Sequence, residues 1–119
     1  MEVRSLAGVD PFVTADGSTI RELCGLPTGG TVNQSLAEAT LEPGQATTRH
    51  YHRDAEEIYF VLEGDGEMEI EGDRARVRVG EAIPIAPGAR HQIRNVGPGS
   101  LRLLCCCSPP YRHEDTFFD

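Results

Sequence analysis

Gly44-Gln45-Ala46-Thr47-Thr48-Arg49-His50-Tyr51-His52-Arg53-Asp54-Ala55-Glu56-Glu57-Ile58-Tyr59-Phe60-Val61-Leu62-Glu63-Gly64 is the stretch that decides the fold of this chain. His50 and His52 stand two positions apart. On a strand both side chains leave the same face, with Cα atoms roughly 6.5–7 Å apart. Two rings so placed can converge on one ion with metal–nitrogen bonds of about 2.0–2.2 Å. Glu57 opens the apolar run Ile58-Tyr59-Phe60-Val61-Leu62, and a third histidine, His91, follows the turn Pro84-Ile85-Ala86-Pro87-Gly88. Neither reaches the pair by proximity along the chain, so paired strands must bring them together. Three imidazoles and one carboxylate form the donor set of one divalent transition metal per chain, and Fe, Mn, Zn, Ni and Cu all accept such donors. Without an ion the same side chains would be polar residues at a barrel mouth, each needing a partner of its own.

The rest of the chain reads as strand and turn. Apolar residues recur at period two between glycines and prolines, and no segment keeps a period of 3.6. Val32 to Leu41 reads as a strand with Ser35, Ala37, Ala39 and Leu41 on one face, followed by the turn Glu42-Pro43-Gly44-Gln45. The strand from Thr47 to Tyr51 carries the first histidine pair, and Ile58 to Leu62 is a strongly apolar strand. Glu67 to Glu71 leads to a tight hairpin turn at Gly72-Asp73, after which Arg74, Arg76 and Arg78 alternate with Ala75, Val77 and Val79. Ala82 to Ile85 is expected to be short and buried, and His91 to Asn95 and Leu101 to Cys107 complete the set. About eight short strands in some 80 residues imply an all-β fold, an antiparallel barrel or jelly roll. Residues 1–30 are expected to hold edge strands or an extension: Val9 to Ile20 for one or two strands, Gly25 to Thr31 as loop. Residues 31–108 form the barrel of a single domain spanning 1–119, and 109–119 an extended C-terminal arm.

Composition narrows the function classes. The formal charge is −8, and every one of the 11 basic residues is arginine. An acidic domain without a basic stripe offers nucleic acid and anionic membranes no electrostatic footing. The first residues, Met1 to Gly8, lack an apolar signal region, and no stretch is long enough to span a bilayer, so a cytoplasmic location is expected. Cys24 stands alone while Cys105, Cys106 and Cys107 are consecutive, unlike a secreted disulfide framework. Cys105 and Cys107 share a face, as a soft metal pair or as small core residues on a terminal strand.

Gly44 to Gly64 resembles the first motif of the cupin superfamily: glycine, five residues, His50, one residue, His52, four residues, Glu57, six residues, Gly64. Gly80, Pro87, Gly88, His91 and Asn95 resemble the second, with Ala86 where that motif has its first proline. Such a likeness, to small bacterial single-domain cupins, implies a double-stranded β-helix barrel and makes His50, His52, Glu57 and His91 the metal ligands. Glu56 is the rival carboxylate. Glu57 is preferred because its spacing to Gly64 fits the motif and because it shares a strand face with Tyr59 and Val61.

The same parity sends Ile58, Phe60 and Leu62 outward, where three large apolar residues need cover. A partner chain in a homodimer is expected to supply it, the alternative being this chain's own first 30 residues. Tyr59, on the ligand face, is the candidate catalytic group, as hydrogen-bond donor or proton carrier, or else an aromatic core filler. Three chemistries suit such a centre on a small-molecule substrate. Dioxygenation of an oxygenated metabolite is placed first. Lewis-acid isomerisation or lyase chemistry on a sugar-like or hydroxy acid is second, and ligand capture without turnover third.

Overall fold

The computed structural model describes residues 1–119 as a double-stranded β-helix barrel. Its strands are β1 (Phe12–Val13), β2 (Thr19–Cys24), β3 (Ser35–Leu41), β4 (Tyr51–His52), β5 (Glu56–Glu63), β6 (Asp65–Ile70), β7 (Asp73–Arg78), β8 (Ala82–Ile85), β9 (His91–Asn95), β10 (Leu101–Ser108) and β11 (Thr116–Phe117). One sheet runs β1-β2-β3-β10-β5-β8, a second β7-β6-β9, and β11 pairs with β4, all antiparallel. Single bridges, Ala46 to Arg94 and His50 to His91, tie the chain before β4 to the edge of β9. No helix is long and apolar enough to cross a membrane.

The period-two pattern is what closes the barrel. Along β5, Glu57, Tyr59 and Val61 face the interior, while Ile58 is 43% and Phe60 37% exposed on the outer face. The first 30 residues pair alongside β3 through β2 and leave that outer face bare. Leu41, Val61, Met68, Ile93, Leu101 and Leu103 are buried together between the two sheets. Each contributes about 1.5–3 kcal/mol by leaving water. Asn95 acts as an internal clamp: its amide donates to the carbonyls of Leu41 (2.9 Å) and Gly99 (2.8 Å), and its Oδ1 accepts from Gly97 N–H (3.0 Å). Gly64 is required where β5 turns into β6, since its φ is +91° and a Cβ there would meet Ser100 O at 2.5 Å.

Several expectations change at the strand ends. The strand expected from Val32 starts at Ser35, and Val32 is exposed. The hairpin between β6 and β7 turns on Glu71-Gly72 rather than Gly72-Asp73, because Ile70 pairs with Asp73 and both turn residues carry positive φ, 50° and 87°. Ala82 to Ile85 is not a buried strand; only Ile85 is buried, because β8 is a sheet edge with Pro84 on it. Thr47 to Tyr51 makes no continuous ladder beyond the single bridge at His50 and the start of the short β4. Arg74, Arg76 and Arg78 form the expected outward ladder, facing Glu67 (3.1 Å) and Asp65 (3.7 and 3.5 Å). The C-terminal arm folds back: after a single 3-10 turn at His113–Asp115, β11 lies against β4.

Candidate metal centre

Two chain segments separated by some forty residues meet at the barrel mouth. The bridge between His50 and His91 has reciprocal backbone bonds, His50 N–H to His91 O at 3.0 Å and His91 N–H to His50 O at 2.8 Å. This fixes the second histidine segment beside the first. One ring nitrogen from each of His50, His52 and His91 lies within 4.8 Å of the others. From β5 across the barrel, Glu57 Oε1 sits 3.3 Å from His52 Nε2 and 3.5 Å from His91 Nε2. All four side chains are buried. Glu56, the rival, is exposed on the other face of β5.

The outer nitrogens of the rings are held by the backbone. His50 Nδ1 is 2.7 Å from Thr48 O, His91 Nδ1 is 2.9 Å from Ala89 O, and His52 Nδ1 is 3.3 Å from Asp115 O. A carbonyl can only accept, so each Nδ1 carries the proton and a neutral ring turns a lone pair inward at Nε2. Glu57 Oε1 and His91 Nε2 are sealed from solvent and have no hydrogen-bond partner. Two acceptors facing each other in a dry interior repel unless a cation lies between them. The donor set therefore fits a divalent metal, with His50, His52, His91 and Glu57 as the groups that would hold it.

The family model described as Cupin_2, cupin domain, matches residues 37–107. The chain belongs to the cupin family. It is 45% identical over 108 residues to uncharacterized protein MJ1618 of Methanocaldococcus jannaschii, covering 91% of this chain and 86% of that one. It is 30% identical over 105 residues to the tetracenomycin polyketide synthase protein TcmJ of Streptomyces glaucescens, covering 88% and 70%. The structure of a predicted oxalate decarboxylase from Thermotoga maritima superposes with a TM-score of 0.80 over 91% of this chain and 99% of that one; at 21% identity the likeness is one of fold.

In this cupin the electrostatics of the mouth are set by burial and by the four side chains together. Burial pushes the His50 imidazole below its ordinary range, and neighbouring His91 adds to the shift. Burial acts the same way on His52, yet the Glu57 carboxylate outweighs it and raises the ring. Burial alone would raise Glu57; the imidazoles of His52 and His91 overcome it and bring its carboxyl down to about 2. Tyr59, buried on the ligand face with its ring centroid 5.9 Å from that of His91, is pushed well above 10 by burial and keeps its proton. The Cys107 thiol, also raised by burial, donates to Glu57 Oε2 at 3.3 Å. Cys105 and Cys107 are free thiols on the cavity wall.

Three contributors escaped the sequence. Asp16 reaches the cavity from the turn before β2, with Oδ2 3.9 Å from His50 Nε2. Its Asp-Gly dipeptide signals a turn but not where that turn lies. Tyr111 stands edge-on to His52, ring centroids 5.8 Å apart, from the arm that was expected to be extended. Asp115 is buried there, and its carboxylate accepts the Asp54 (3.0 and 3.2 Å) and Ala55 (3.1 Å) amides. Arg49, next to His50 in sequence, turns away to Glu69 at 2.6 Å.

Proposed function

We propose that this cupin is a metal-dependent enzyme acting on a small, oxygen-rich organic molecule inside the barrel, with dioxygenation as its chemistry. The observation that carries the reading is the sealed, partnerless pair Glu57 Oε1 and His91 Nε2, set among three histidines whose outer nitrogens are already committed. When bound, the metal supplies open coordination positions that polarise a chelating substrate and, as Fe(II) or Mn(II), bring O2 to it. The chain's own groups do the rest. Tyr59, its ring edge-on to that of His91 on the cavity wall, holds a proton at its phenol oxygen and can donate a hydrogen bond to substrate. Cys107 holds Glu57 by its second oxygen, leaving Oε1 turned toward the histidines. The apolar wall, with Ile20, Leu41, Ile93 and Leu103, keeps water from the reacting atoms.

A second reading, Lewis-acid isomerisation or lyase chemistry, is favoured by Asp16, a second carboxylate beside the ligand His50. The relative named for polyketide synthesis is in keeping with substrates rich in ketone and hydroxyl oxygens, which either chemistry would accept. The two separate on one experiment: protein loaded with Fe(II) or Mn(II) is mixed with catechol or acetylacetone in an oxygen electrode. Dioxygenation requires O2 consumption that stops in protein stripped of metal. Turnover that persists without O2 moves the assignment to the second reading, and tight binding with no turnover across a metabolite panel to a binding module. As part of the same proposal, a second copy of the chain covers Ile58 and Phe60 as a homodimer, which sedimentation equilibrium tests.

A further inference from the structure

We infer that Asp16 is the substrate-facing acceptor of this site and that the cavity selects an uncharged molecule bearing a hydroxyl next to a carbonyl, not a dicarboxylate. The inference rests on the metal-dependent reading above and names its substrate class. Asp16 is fixed before anything binds. Its Oδ1 accepts Ser18 N–H at 2.9 Å, Ser18 Oγ at 2.6 Å and Thr14 Oγ1 at 2.6 Å. Thr48 N–H donates to the Asp16 carbonyl at 2.8 Å, locking the turn to the segment that carries His50. These contacts consume one carboxylate oxygen and the backbone; the other oxygen, Oδ2, is left toward His50 Nε2 and the cavity. A carboxylate held this way accepts a hydrogen bond from a hydroxyl without paying to order itself.

Charge supports the same choice. Glu57, Asp16 and Glu22 are carboxylates on the cavity wall, and no arginine lines it. A divalent ion would balance two of the three, so a dianion entering this enclosed space would meet no compensating charge beyond the metal itself. An uncharged α-hydroxy carbonyl offers the metal two adjacent oxygens and Asp16 a donor, and adds no charge.

The test uses Co2+-loaded protein, whose visible absorption reports what enters the metal's surroundings without any turnover. Hydroxyacetone is compared with methoxyacetone, identical in its two oxygens but lacking the donor, and with oxalate. Native protein is expected to bind hydroxyacetone about 10- to 100-fold more tightly than methoxyacetone, the range of a hydrogen bond to a charged group. Asp16→Asn keeps the Oδ1 contacts but offers an amide N–H in place of Oδ2. It should erase that preference and tighten oxalate about tenfold, with cobalt content unchanged. An unchanged preference in Asp16→Asn overturns the inference. Loss of cobalt from Asp16→Asn also overturns it, assigning Asp16 to the metal. Native protein that takes up no cobalt overturns the metal-dependent reading and this one with it.

Discussion

The mouth of the barrel and its floor are built on opposite terms. At the floor, Leu41, Val61, Ile93, Leu101 and Leu103 fill the space between two sheets with no polar atom to satisfy. At the mouth, a few residues away along β5 and β9, His50, His52, His91 and Glu57 are just as buried, yet Glu57 Oε1 and His91 Nε2 lack partners. The floor supplies folding free energy and no chemistry. The mouth is kept dry by the floor and the C-terminal arm, and it is stable only because the surrounding ladders fix its side chains. Stability and metal binding should therefore respond to different residues.

The largest expected effect lies at the mouth. His52→Ala should lower metal affinity by more than the 10–100-fold typical of losing an outer partner of a ligand, while far-UV circular dichroism stays that of the folded barrel. Full metal occupancy in that variant, read by elemental analysis, would sink the ligand assignment. The complementary change at the floor, Leu103→Ala, should cost about 2–5 kcal/mol in denaturant unfolding and leave metal per folded molecule unchanged. Loss of metal without loss of stability there would break the separation of the two regions.

Acid offers a third way to probe the contrast, because the metal-free and loaded proteins should respond with opposite sign. The His52 imidazole is raised above 6.5 by Glu57, so its protonated form stabilises the metal-free fold. That contribution is complete below 6.5 and is lost as pH rises through the raised value. A metal needs the neutral ring, so affinity should fall as pH drops through the same value, while Glu57, brought down to about 2, stays ionised. Thermal unfolding of metal-free protein and chelator competition, both run from about pH 5.5 to 8, check the two slopes.

A smaller effect is expected one contact further out. Cys107→Val removes the thiol that donates to Glu57 Oε2 and should weaken metal binding about tenfold, whereas Cys107→Ser should restore it. Equal affinities for the two variants would show that the thiol does not orient the carboxylate. Smallest of all, Glu56→Gln should leave metal content unaltered and shift stability by no more than about 0.5 kcal/mol, as at other exposed positions.

Much of this was legible in the residues. Period two along Ile58 to Leu62 gave the faces of β5 correctly, down to Glu57 inside and Glu56 outside. The spacing of His50 and His52, with the motif resemblance that adds His91, foretold a cluster that forms through the bridge between His50 and His91. What escaped depends on tertiary placement rather than local pattern. Ala82 to Ile85 has the composition of a buried strand, but its place at a sheet edge exposes it. Asp16 belongs to a turn with no periodicity, brought to His50 through Thr48. The arm after Pro110 carries no strand signal, because its pairing with β4 is only two residues long.

That short pairing has a consequence for how fast an ion could come and go. The carbonyl of Asp115 and the ring of Tyr111 are what brace His52 from outside the barrel, and two ladder residues, Thr116 and Phe117, secure them. Fraying of so small a unit is among the cheapest motions open to a folded chain. The lifetime of a bound cation would then be governed by the last nine residues of the chain, and trimming them should speed its escape while the two larger sheets, which pair without β11, stay intact.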